Sequence, residues 1–237
     1  MKNPNSDINT VKVSKKITPV GIGIPVELNE IAEECSFKLT TCEYWNQVGQ
    51  GAAGKVYIRE GDSKYALKIQ KANCIFFAEM KALTDLQKIL KDEVKGVVPK
   101  LYASWICNGN GYILIEKLYD SYGMRSKEMQ YALKKIEEYG WLHLDISTCN
   151  RMSNRDGNLV LIDFGWAVKK PSDDNKTYPY HPISIKSCKA FTYADLKIRQ
   201  DADFNMIYSK YLDEEEYIPV MYTPKPVNKP NSSCIII

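Results

Sequence analysis

With 237 residues, a net charge of +3, and 44% hydrophobic and 26% charged residues, the chain can bury a substantial core, and most of it is expected to fold. The charge is too small for a dedicated nucleic-acid binder. No apolar run is long enough to span a membrane, and no signal-peptide pattern opens the chain. Seven cysteines with no C-x-x-C pair, beside only two histidines, argue against a disulfide framework and a structural zinc site. They favour reduced thiols in a cytoplasmic setting.

Residues 1 to about 40 read as a leader. Asn3 to Lys16 is polar, Gly21-Ile22-Gly23-Ile24-Pro25 breaks regular structure, and Glu27 to Cys35 is compatible with a short helix. Gly49-Gln50-Gly51-Ala52-Ala53-Gly54 follows, running into Lys55-Val56-Tyr57-Ile58. Those last four residues read as a strand, so the glycines form a hairpin tip, not the helix-opening turn of a dinucleotide site. Tyr65-Ala66-Leu67-Lys68-Ile69 is the next strand. Asn73 is placed to cap a helix from about Ile75 to Leu90, with Phe76, Met80, Leu83 and Leu86 on one side and Glu79 within it. Two strands, Leu101 to Cys107 and Tyr112 to Glu116, flank the hairpin signal Asn108-Gly109-Asn110-Gly111. Ser126 to Tyr139 has the period of an amphipathic helix, with Ser126 as cap, Met129, Leu133 and Ile136 on one face, and Gly140 as stop. Asp201 to Tyr208 reads as a further helix. After Tyr222 the tail (223–237) is proline-rich and extended.

Four of these segments carry chemistry. The glycine-rich tip lets backbone amides approach phosphate oxygens. Lys68 sits in a stretch of the form V-A-I-K. His143-Leu144-Asp145-Ile146-Ser147-Thr148-Cys149-Asn150 has the form H-x-D-x-x-x-x-N. Asp163-Phe164-Gly165 follows the apolar run Leu159-Val160-Leu161-Ile162. In this order they resemble the eukaryotic-type protein kinase superfamily, over roughly 47–211. The resemblance implies an α+β, bilobal, kinase-like domain over 41–222. Its N-terminal antiparallel β-sheet lobe with one helix would span about 41–116, and its reduced, mostly helical C-terminal lobe about 119–222. It implies ATP and Mg²⁺ as cofactors. It makes Asp145 the base, Lys68 the phosphate-binding lysine and Glu79 its partner, with Asn150 and Asp163 as metal ligands. Gly49, Gln50, Gly51, Ala52, Ala53 and Gly54 would cover the phosphates. Val56 and Ala66 would cover the adenine, Met152 would form its floor, Ile115 would guard the back pocket, and Glu116 and Leu118 would bind at the hinge. For each apolar residue, ordinary core packing is an equally compatible reading.

Within the superfamily the chain is similar to the small kinase of the KEOPS tRNA-modification complex. That family carries Q-G-A-E-A-K-V-Y and H-G-D-L-T-T-S-N where this chain has Gln50 to Tyr57 and His143 to Asn150. Lysine- and asparagine-rich composition would also suit a large-DNA-virus kinase. Three departures stand out. Leu144 occupies the position of an arginine that reads activation-loop phosphate, so control by that route is not expected. Ser147 occupies the position of a catalytic-loop lysine, for which Lys169 or Lys170 are the candidate replacements. No A-P-E follows Gly165, and only 72 residues remain there. Asp203 either braces the catalytic loop or is a solvated helix acid.

The expected partners are a protein substrate with a Ser/Thr acceptor and, in the alternative, a larger complex in which the chain is an ATPase or scaffold. A small-molecule kinase is the third reading, against which the short C-terminal lobe argues. Cys234-Ile235-Ile236-Ile237 has the form C-a-a-X, so prenylation at Cys234 is one expectation for the C-terminus. An apolar tail that packs on the domain or frays is the other.

Overall fold

The computed structural model describes residues 45–51, 53–59, 64–89, 96–179 and 181–212. The leader, Ala52, the proline-rich tail and Cys234 lie outside the described residues.

Five antiparallel strands form the first sheet: β1 (Trp45–Gln50), β2 (Gly54–Arg59), β3 (Tyr65–Lys71), β4 (Leu101–Cys107) and β5 (Asn110–Glu116), in the order β1-β2-β3-β5-β4. Side chains alternate across a strand with period two, and the alternation separates two tasks. Tyr57, Tyr65, Leu67, Trp105, Tyr112 and Leu114 point to one face and make a dry aromatic cluster, in which Trp105 and Tyr112 stack with centroids 5.2 Å apart. The alternate residues line up across strands on the other face. Val56 stands opposite Lys68, which stands opposite Ile113. Ile58 stands opposite Ala66, which stands opposite Ile115. A one-residue slip would exchange these faces, so burial of the aromatic face fixes the register that presents Lys68. Asn108 and Gly109 both take positive φ, 48° and 76°. The β4–β5 loop is therefore the tight type of hairpin turn that the Asn-Gly pair favours.

Helix α1 (Cys74–Ile89) crosses the second face. Asn73 Oδ1 accepts from the N–H groups of Ile75 and Phe76 at 3.1 and 3.2 Å, so the expected cap is present. Phe76, Met80, Leu83 and Leu86 are buried. The first turn of the helix is closely packed on two sides: a Cβ on Gly111 would stand 2.3 Å from the Phe76 ring, and one on Gly165 would stand 2.4 Å from Ile75 Cγ2.

The remaining described residues form strand β6 (Tyr119–Asp120), helix α2 (Ser126–Glu138), strands β7 (Trp141–Leu142), β8 (Arg151–Ser153), β9 (Leu159–Leu161) and β10 (Val168–Lys169), and helices α3 (Pro182–Ser187) and α4 (Tyr193–Tyr208). β6, β8 and β9 form one small antiparallel sheet, and β7 pairs with β10. One apolar core joins α1 to α2, β9, Phe164 and the Phe204–Tyr208 end of α4. The architecture is α+β and compatible with a reduced kinase-like bilobal fold.

Three local expectations need correction. Ser126 is the first residue of α2; the cap position belongs to Arg125, in the left-handed region at φ 51°. Its guanidinium pairs with Glu128 and donates to Ser153 Oγ and the Gly157 carbonyl, both at 2.8 Å, tying α2 to β8. Helix α4 begins eight residues before Asp201. Thr192 and Asp195 cap it reciprocally, so a carboxylate three residues after a threonine was the missed start signal. Finally, Cys107 is disulfide-bonded, whereas Cys74, Cys149 and Cys188 are free thiols. The expectation of reduced thiols thus holds at Cys74, Cys149 and Cys188 and not at Cys107.

Candidate active site

The cleft beneath the sheet is built from the two cross-strand rows. It is lined by Val56, Ala66, Lys68, Glu79, Ile115, Glu116, Leu118, Met152 and Asp163, all expected from sequence, and by Val48, Ile58, Leu83, Pro99, Ile113 and Phe164, which were not. Gly49, Gln50, Gly51, Ala53 and Gly54 lie at the β1–β2 tip, where Gly51 N–H donates to the Gly54 carbonyl at 2.9 Å. Gly54 is confined by its neighbours: a Cβ there would stand 2.3 Å from the Ile69 carbonyl oxygen.

At the back of the cleft Lys68 Nζ donates to both carboxylate oxygens of Glu79 at 2.9 Å and to Asp163 Oδ1 at 3.2 Å. Gln70 Nε2 adds a bond to Glu79 Oε2 at 2.8 Å. All four side chains are buried. Burial alone would push the Lys68 ammonium down, but Glu79 and Asp163 outweigh it and raise its pKa above the ordinary lysine value. Glu79 occupies a position on the apolar face of α1. A carboxylate there is stable only when paired, which explains why this side chain turns to Lys68.

The two acidic segments sit on strained backbone. Leu144 and Asp163 both have φ of 63°, a region that non-glycine residues enter at a cost of about 1–3 kcal/mol unless surrounding bonds hold them there. Those bonds are present at the first segment. The buried His143 ring donates from Nε2 to the Ile162 carbonyl at 2.9 Å, accepts the Asp145 N–H on Nδ1 at 3.3 Å, and meets the Phe164 ring edge-on. Burial holds its pKa below the ordinary value. Gln200 Oε1, on α4, accepts from His143 N–H at 2.7 Å and Leu144 N–H at 3.2 Å. The Tyr208 hydroxyl donates to the Ser147 carbonyl at 3.1 Å. The brace expected of Asp203 is therefore supplied by Gln200, whose long amide reaches the loop, while Asp203 lies 3.9 Å from Arg199 on the same helix. A single glutamine carries no motif, and only the packing of α4 under the loop identifies it.

Asn150 Nδ2 donates to Asp145 Oδ2 at 2.8 Å and to the Asp145 carbonyl at 2.9 Å. Its Oδ1 is buried with no hydrogen-bond partner. An unspent amide oxygen is the donor a hard cation takes, together with a carboxylate such as Asp163. Among the described residues no group of three or more His, Cys, Asp or Glu side chains gathers to hold a metal. Asn150 and Asp163 thus fit a cation whose other ligands come from phosphate and water. Lys169 and Lys170 are engaged elsewhere: Lys169 Nζ pairs with Asp85 on α1 at 2.9 Å, and Lys170 Nζ with Asp174 at 3.5 Å. Both candidate replacements for the lysine absent at Ser147 thus pair with carboxylates outside the catalytic loop in this structure.

Fold and site together describe a small α+β domain with a lysine-bearing cleft beneath an antiparallel sheet and a carboxylate–amide loop beside it. The comparisons with known proteins point to kinases. No protein-family model matches the chain. A probable serine/threonine-protein kinase from Dictyostelium discoideum is 29% identical over 174 residues, covering 59% of this chain and 41% of that protein. A putative ribosomal protein S6 kinase alpha-1 from Caenorhabditis elegans is 23% identical over 189 residues, covering 70% of this chain and 24% of that protein. The chain therefore spans well under half the length of these relatives. At this identity the similarity is to serine/threonine protein kinases as a broad group.

Proposed function

We propose that the chain is an ATP- and Mg²⁺-dependent phosphotransferase acting on serine or threonine hydroxyls of a protein. The observation that carries this reading is the buried Lys68 ammonium, held by both Glu79 oxygens and Asp163 Oδ1 at the back of an apolar cleft. A cation fixed there is placed for phosphate oxygens, while the apolar rows above it suit a purine. Bound Mg²⁺ would supply charge neutralisation between phosphate oxygens. Asn150 Oδ1 and Asp163 would hold it. Asp145, steadied by Asn150 Nδ2 through one oxygen, orients the acceptor hydroxyl and takes its proton. His143 and Gln200 keep the loop in the geometry that this alignment needs.

Hydrolysis of ATP within a larger assembly is the second reading. It is favoured by Ser147, which stands where a transferring enzyme would place a lysine, and by the engagement of Lys169 and Lys170 with other carboxylates. The binding half of the proposal is tested by thermal shift with ATP, with and without Mg²⁺. Stabilisation that requires Mg²⁺ and vanishes in Asp163→Ala is the expected result. Metal-independent stabilisation that survives Asp163→Ala would overturn it.

A further inference from the structure

A second concavity, of about 300 Å³, opens on the α4 side of the catalytic loop, and its wall includes Asp145, Trp166, Lys186, Arg199, Asp203 and Met206. The base and two cations therefore border one recess. Its wall is fixed to the site through a short chain of contacts. Trp166 follows Gly165 directly, and its carbonyl accepts from His181 Nε2 at 2.8 Å. His181 Nδ1 in turn accepts the Ile183 N–H at the start of α3, the helix that carries Lys186. The Lys186 ammonium rests 4.8 Å from the centroid of the Trp166 ring.

The charges of the recess are unequally satisfied. Asp145 is bonded to Asn150. Among the described residues the ion-pair partner of Asp203 is the half-exposed Arg199, at 3.9 Å. Among the described residues no carboxylate pairs with Lys186, whose contact is the face of an indole. A cation on an aromatic face keeps its charge and remains available to an anion. Arg199 at this separation from Asp203 retains donors for a second carboxylate.

We propose that this recess binds the acceptor segment through its carboxylate side chains, with Lys186 and Arg199 as the recognising cations, so that acidic residues flanking the acceptor hydroxyl are preferred. The inference rests on the phosphotransferase reading for the role of Asp145, but the binding it describes does not require turnover. Apolar residues of the wall, Trp166 and Met206 among them, give the stem of such a side chain a surface to lie on.

The test uses three peptides that are identical except for Glu, Gln or Lys beside a single serine. For each, KM and kcat are measured with Mg²⁺-ATP, and affinity is measured by fluorescence anisotropy. The wild-type chain should bind the Glu peptide roughly ten-fold more tightly than the Gln peptide and the Lys peptide least, with the difference in KM and not in kcat, since two partly exposed charge pairs are each worth a factor of about three. Lys186→Glu with Arg199→Glu should reverse the order of the Glu and Lys peptides. The preference is a ratio, so it survives a general loss of activity. Lys186→Gln with Arg199→Gln serves if the reversed pair does not fold, and should level the three peptides. Equal affinities in the wild-type chain, or an unchanged order in the variants, would overturn the proposal. Selective, reversible binding with no transfer to any peptide would uphold the recess and overturn the phosphotransferase reading. Transfer to all three with equal KM would do the opposite.

Discussion

Replacing Gln200 by methionine removes the acceptor shared by the His143 and Leu144 N–H groups while keeping the length of the side chain. Both donors are buried, and Gln200 itself is 2% exposed. Leaving one buried donor unsatisfied costs about 1–3 kcal/mol. With two donors and some relaxation of the loop, a loss of about 2–4 kcal/mol is expected for Gln200→Met. Leu144 also loses a bond that offsets its positive φ, so the loop has reason to rearrange. Asp145 follows Leu144 directly, and a displacement of about 1 Å in a reacting group costs roughly a hundredfold in rate. Urea unfolding gives the stability, and amide exchange at His143 and Leu144 reports whether the local bonds are gone. A stability within about 0.5 kcal/mol of wild type, the level of an ordinary surface substitution, with unchanged exchange at both amides, would refute the bracing role.

Two other perturbations follow from the same geometry. Lys68→Met leaves Glu79 and Asp163 buried without their cation and should cost about 3–5 kcal/mol by chemical denaturation, whereas Lys68→Met with Glu79→Met should recover much of that stability and none of the phosphate binding; equal stability of the single and double variants would contradict the pairing. Acidification should weaken the fold below pH 6.5. Burial holds His143 and His181 below their ordinary value of 6.5, so the unfolded chain takes up protons there before the folded one does. Their contribution is complete above pH 6.5 and is lost as pH falls, at up to about 1.4 kcal/mol per unit for each histidine. Urea midpoints at pH 7.5, 6.5 and 5.5 measure this, and a flat profile would show that the imidazoles titrate freely.

Much of this arrangement was legible in the sequence because its signals are local. The Asn108-Gly109 turn and the Asn73 cap each depend on a handful of adjacent residues. The motif order was enough to name Lys68, Glu79, Asp163 and several of the apolar residues that line one cleft. What sequence did not reveal depends on the approach of distant segments. Gln200 meets His143 across 57 positions, Gln70 meets Glu79 only once α1 has docked on the sheet, and Lys169 turns to Asp85 because α1 brings that carboxylate near. The pairing of Glu79 with Lys68 was named from the resemblance, and the structure adds its physical reason: a carboxylate on an apolar helix face is stable only when paired. Lys186 and Arg199 left no comparable signal, being exposed or half exposed, and their shared recess emerges only from the packing of α3 and α4 beside Asp145.

The central claim is transfer of a phosphoryl group to protein by Asp145 in a Mg²⁺-dependent site, and incubation with γ-labelled ATP, Mg²⁺ and casein tests it most directly. The wild-type chain should label casein. Asp145→Asn should bind Mg²⁺-ATP comparably and label casein at least about a hundredfold more slowly, the usual scale for losing a general base. Near-full labelling by Asp145→Asn would contradict the assignment, and release of free phosphate by the wild-type chain with casein unlabelled would replace the protein kinase with an ATPase.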